Sequence, residues 1–216
     1  MSYYLAVVFS LTVSIAVLIG WIRFSKIGPA FYPFIFLITI ALLNEMVGMV
    51  LSKIYQSNAV SINIYSLLEG LIITWQFKRW GLFRRKTLFY FLFILLPAVW
   101  CFEVFYLSSL FEFTSYFIIV NCLVIVLLSI SMINKLLVTD SAPLLTNSIF
   151  LICMCFITLY TYNALIEVFW IYGLDASRSF RLYIYRIFYF INLLTNLTYA
   201  LAVLWIPKKR EFIVLS

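Results

Sequence analysis

Seven runs of about twenty mainly apolar residues follow one another along this chain, and that pattern leaves very few folds open to it. In lipid a segment must satisfy its own backbone, so a run of this length crosses the hydrocarbon core as a helix. The runs are Tyr3 to Ile22, Ala30 to Leu51, Val60 to Phe77, Thr87 to Tyr106, Phe113 to Ile133, Thr146 to Tyr172 and Phe180 to Ile206. Turn and charge residues separate them: Arg23 to Pro29, Lys78 to Lys86, Thr139 to Pro143, and Gly173-Leu174-Asp175. The connections leave no room for a soluble domain. The expectation is an all-α polytopic integral membrane protein, a single seven-helix transmembrane domain over residues 1–216. Composition agrees, since 66% apolar residues against 11% charged, with a mean hydropathy of +1.11, is incompatible with a soluble or a disordered chain.

Orientation follows from the basic residues, which hold their loops in the cytoplasm. One side collects Arg23, Lys26, Lys78, Arg79, Arg84, Arg85, Lys86, Lys135, Lys208, Lys209 and Arg210; the other has Lys53, Arg178, Arg181 and Arg186. The N-terminus is therefore expected outside and the C-terminus inside, and this orientation signal accounts for the net charge of +7 without a nucleic-acid partner. The first run reads as a retained helix and not as a signal peptide. Its leading Met1-Ser2-Tyr3-Tyr4 is uncharged, and its basic residues follow the apolar stretch. A plasma membrane or bacterial inner membrane is the expected location.

The chain has no histidine, and its four cysteines, Cys101, Cys122, Cys153 and Cys155, all lie inside apolar runs, where a thiol behaves as a small hydrophobe. No metal site, disulfide framework or cofactor is expected. Retinal binding is excluded because the last run contains no lysine for a Schiff base. Intramembrane serine proteolysis needs a histidine base, and aspartyl proteolysis needs acids within the membrane, whereas Asp140 and Asp175 fall in connections. A glutamate-based lipid-modifying enzyme stays open, but no nucleophile and base stand out, and the reading leans away from an enzyme.

Ionisable groups inside a membrane helix are costly and mark either a functional site or a buried pair. Glu45, Glu69 and Glu167 lie inside the second, third and sixth runs, whereas Glu103 and Glu112 stand near the outer edge and are expected to be wet. At 1.5 Å of rise per residue, Glu69 lies roughly 14 Å below the outer start of its helix. In the third run Asn63, Ser66, Glu69, Gly70, Thr74 and Gln76 share one face, with Ile64, Leu67, Leu68, Leu71, Ile72 and Trp75 opposite, so the polar face should look into the bundle. In the second run Ala41, Glu45, Gly48 and Ser52 form a stripe that lets another backbone come close. In the sixth run Cys153, Phe156, Tyr160, Asn163 and Glu167 recur at threes and fours. Arg181, Tyr185, Asn192, Asn196 and Tyr199 do so in the seventh. Arg181 or Arg186 is at the right depth to pair with Glu167, since a paired charge is the cheap buried charge.

Two function classes remain. One is a small-solute binder, transporter or receptor. Its candidate ligand-binding or proton-exchanging residues are Glu69, Glu45, Asn63, Ser66, Asn163, Asn192, Asn196, Tyr160 and Tyr185, with Glu69 at its centre. The other is an accessory or sensory membrane subunit in which these groups only hold the bundle or a partner helix. The expected partners are the lipid bilayer, a small-molecule ligand, and a membrane protein partner or a homo-oligomer. In size and span count the chain resembles the PQ-loop and sugar-transporter architecture, in which one helix joins two three-helix units. The third and seventh runs end alike, as Trp75-Gln76-Phe77-Lys78-Arg79 and Trp205-Ile206-Pro207-Lys208-Lys209-Arg210, but the Pro-Gln dipeptide is absent and no site residue carries over.

Overall fold

The computed structural model describes residues 3–139, 144–172 and 178–208. Its helices are α1 (Tyr3–Leu11), α2 (Val13–Ile22), α3 (Tyr32–Tyr55), α4 (Ala59–Arg79), α5 (Lys86–Phe102), α6 (Ser115–Thr139), α7 (Ser148–Ile171) and α8 (Arg178–Trp205). Local chemistry explains several ends. Pro29 and Pro33 sit in the first turns that open α3, where a missing N–H costs nothing, and Gln56 closes it in the left-handed conformation at φ 57°. Asn147 caps α7 by accepting from the backbone N–H groups of Ile149 and Phe150 at 2.9 and 3.3 Å. Pro97 lies inside α5, whose last turn widens into a π-helix at Glu103–Leu107.

Five helical stretches are long and apolar enough to cross a membrane: Pro29–Tyr55, Lys86–Leu107, Ser115–Thr139, Ser148–Ile171 and Tyr183–Trp205. The protein is therefore a multi-pass helical membrane protein, and apolar side chains exposed on these helices, such as Leu43, Ile94, Leu127 and Leu194, meet the lipid. The other two apolar runs differ for physical reasons. Helix α4 carries the polar face described above, which lowers its hydropathy. The first run stays helical through Thr12, at φ −61° and ψ −19°, but its hydrogen bonding tightens there and divides it into α1 and α2. Neither Gly nor Pro makes this break. The hydroxyls of Ser10 and Thr12 bond back to the carbonyls of Val7 and Phe9 at 3.1 and 2.5 Å, and Asn196 of α8 donates to Phe9 O, Ser10 O and Thr12 Oγ1 at 3.4, 3.4 and 3.1 Å. Carbonyls freed by the interruption are thus satisfied from a neighbouring helix.

The helices close into a ring. Helix α2 packs on α3 and α8, α3 on α4, α4 on α6, α6 on α7, and α7 on α8, while α1 leans on α8. Helix α5 packs on α4 and α6. Three apolar runs thus stand on either side of one that contributes nothing to the cavity described below.

Contacts at one end of the ring gather the basic connections. The Arg23 guanidinium bonds the carbonyls of Val203, Leu204 and Ile206 at the end of α8, where a cation meets the negative end of the helix dipole. Arg79 donates to Pro29 O at 3.2 Å, Lys135 to Gly81 O at 2.5 Å, and Ile27 forms an isolated bridge with Lys208. Basic side chains at this end therefore tie helix termini together, which the reading as orientation signals alone did not foresee. Lys209 and Arg210 lie outside the described residues.

Candidate functional site

Helix α4 faces its polar side inward. Asn63, Ser66, Gly70, Thr74 and Gln76 are buried, while Ile64, Leu68 and Trp75 are more than 40% exposed and point to lipid. Such an inverted wheel is stable only if the buried polar groups find partners, and the two ends of the face find them in the backbone. Gln76 donates to Ala30 O at 2.6 Å and accepts from Phe34 N at 2.7 Å, filling an orphan N–H in the first turn of α3. Asn63 donates to Leu110 O and Glu112 O at 3.0 and 2.6 Å and accepts from the backbone and hydroxyl of Thr114 at 3.1 and 3.0 Å. With every site of its amide committed, Asn63 is absent from the cavity wall, contrary to its place among the binding candidates. It fastens the α5–α6 connection instead.

Between these two ties the ring encloses a cavity of about 400 Å³. Its wall includes Glu45 of α3, Ser66 and Glu69 of α4, Tyr160, Asn163 and Glu167 of α7, and Tyr185, Asn192 and Asn196 of α8. The other eight binding candidates thus come together here, from four helices. Ser10 and Val13 bring the α1–α2 break to the same space, and Ile118, Asn121 and Cys122 bring α6.

Glu69 is the best-held carboxylate. Tyr65, one turn away, donates to its Oε1 at 2.6 Å, and the phenol of Tyr160 reaches it from α7. Ser10 faces the carboxylate of Glu45. Glu167 has the hydroxyl of Ser115 as its hydrogen-bond partner. Among the described residues no ion pair joins Glu167 to Arg186. Arg186 is exposed, and its guanidinium lies over the ring of Tyr183, one turn earlier on α8, at 5.5 Å from the centroid. The Arg181 side chain, the other expected partner, lies outside the described residues.

Buried aromatic rings line the core beside the cavity. Phe34 and Tyr199 meet edge to face at 5.2 Å, Phe156 and Tyr199 at 6.1 Å, Phe77 and Phe156 at 6.2 Å, and Phe156 and Tyr160 at 5.7 Å. Phe34, Phe77 and Phe156 are fully buried, and none of the three lines the cavity. They fill the stretch of the ring towards the basic connections, since Phe77 precedes Lys78 by one residue. The cavity therefore occupies the half of the bundle away from those connections.

Two residues escaped the sequence reading. Asn121 is 1% exposed in the second turn of α6 and donates to Ser66 O at 3.1 Å. A Cβ on Gly70 would stand 2.3 Å from its Oδ1, so this glycine makes the room that the Asn121 amide occupies against α4. A search for amides as well as carboxylates in the fifth run would have found Asn121. Glu103 is 2% exposed and not wet as expected, because its oxygens accept from Tyr116 N and Phe117 N at 3.1 and 2.5 Å and cap α6. Its partners lie on another helix, beyond the reach of local pattern.

Among the described residues no three His, Cys, Asp or Glu side chains are grouped to hold a metal ion. The site offers carboxylates, amides and phenols in a partly open cavity, which suits recognition of a ligand by hydrogen bonds and charge. No known family model matches the chain, and neither a curated protein nor a solved structure shows significant similarity to it.

Proposed function

We propose that this protein binds a small solute within the membrane, as a transporter or receptor, with the cavity around Glu69 as its site. The observation that carries this reading is convergence: polar side chains from α3, α4, α7 and α8 leave the lipid-facing surface and meet around one space of about 400 Å³. A volume of that size lies within the range of about 300–1,000 Å³ that small organic ligands occupy. Charges inside a membrane bundle are kept where they act on something or where they are paired. Glu69 is the residue placed to hold a cation or exchange a proton.

The reading includes one seven-span domain with the N-terminus outside, supported by the excess of basic residues on the connections that meet at one end. The cavity then lies in the outer half. A thermal-shift screen of the purified protein against solutes and pH, repeated with Glu69→Gln, tests the proposal. Solute-dependent stabilisation that the substitution weakens supports it. Identical behaviour of the two proteins would favour the accessory-subunit reading, since Gln keeps the shape and most hydrogen bonds of the acid. That second reading draws on Asn63, Gln76 and Glu103, whose polar groups are committed to backbone.

A further inference from the structure

We infer that the ligand of this cavity is a small organic cation, a protonated or quaternary amine seated among Glu45, Glu69 and Glu167, an inference that rests on the cavity being a binding site. Three acids contribute to the wall, and among the described residues no lysine or arginine does. With no basic side chain among the described residues on this wall, a charged carboxylate there is expensive, and a bound cation supplies a compensating charge.

The amides point the same way. The side-chain nitrogens of Asn121, Asn163 and Asn196 donate to Ser66 O, to Cys122 Sγ, and to the α1–α2 break. Part of their donor capacity is thereby committed to protein, while no described donor is turned to the oxygens of Asn163 and Asn196. The phenols of Tyr65 and Tyr160 are likewise turned to Glu69. Carboxylates and amide oxygens on one wall favour a ligand rich in donors or positive charge.

Aromatic rings supply the rest of the recognition. Tyr65, Tyr160, Trp170 and Tyr185 all line the cavity, and the faces of such rings attract organic ammonium groups. The volume of about 400 Å³ exceeds what a single inorganic ion fills, since one water takes only about 30 Å³.

The test is equilibrium binding to the full chain in nanodiscs. The cationic probes are choline and phenethylammonium; the neutral isostere 3,3-dimethylbutan-1-ol and the anion 3-phenylpropionate serve as counterparts. The expected result is saturable binding of at least one cation, with its uncharged or anionic counterpart at least about tenfold weaker. The Glu45→Gln/Glu69→Gln double variant should lose about tenfold or more for the cation. If that variant does not fold, competition between choline and its isostere on the wild-type chain still decides. Neutral or anionic probes that bind as tightly as the cations would overturn the inference and leave the binding site standing. Cation binding indifferent to the double substitution would place the cation elsewhere and overturn it too. Binding of no probe of any charge would remove both the inference and the proposed function.

Discussion

At the scale of single residues, Gly70 and Asn63 show how polar contacts hold this bundle, and each gives a prediction. Gly70→Ala places a methyl group 2.3 Å from Asn121 Oδ1, so the amide must turn aside and give up its bond to Ser66 O, which should cost about 1 kcal/mol in detergent unfolding. Combining it with Asn121→Ala should recover part of that loss. Asn63→Leu leaves the carbonyls of Leu110 and Glu112 and the N–H of Thr114 without their partner, and should cost about 2 kcal/mol or more by the same measurement. The helical wheel of α4 showed that Asn63, Ser66, Glu69 and Gln76 share an inward face, because 3.6-residue periodicity depends only on order along the chain. It could not separate their roles. Asn63 and Gln76, near the two ends of α4, face a connection and a helix start that need hydrogen bonds, whereas Glu69, in its middle, faces open space.

At the scale of elements, helix ends decide more than helix interiors. Glu103→Ala should loosen the start of α6, by about 1–2 kcal/mol and with faster amide exchange over its first turn, while Glu103→Gln keeps an acceptor and should cost less. Helix positions were legible in the apolar runs, since about twenty mainly apolar residues have one outcome in lipid. The interruption at Thr12 was not. It is made by Ser10, Thr12 and a distant asparagine, Asn196, none of which breaks a helix by itself. The same limit hid the capping of α8 by Arg23, whose partners lie some 180 residues away in sequence.

The whole molecule is a ring of helices with a basic end and a cavity in the opposite half. If the basic end is cytoplasmic, cysteine placed at Ser57 or Ser177 should react with an impermeant thiol reagent from outside, and cysteine at Ser141 should not; labelling at Ser141 alone would reverse the orientation. The gathering of eight candidate residues on one cavity followed from inward-facing polar stripes, because in a bundle with lipid outside they have nowhere else to go. The ring order and the exclusion of α5 were not readable, since they depend on which apolar faces fit together. The central claim is that this cavity holds a solute, and filling it is the most direct test. Ala41, on the cavity wall in α3, can be enlarged without adding charge. Solute binding to purified wild type and to Ala41→Phe should be compared by titration, with thermal melting as the check on folding. The account predicts saturable binding to wild type and its loss in a folded Ala41→Phe protein, whereas undiminished binding to the filled variant would contradict it.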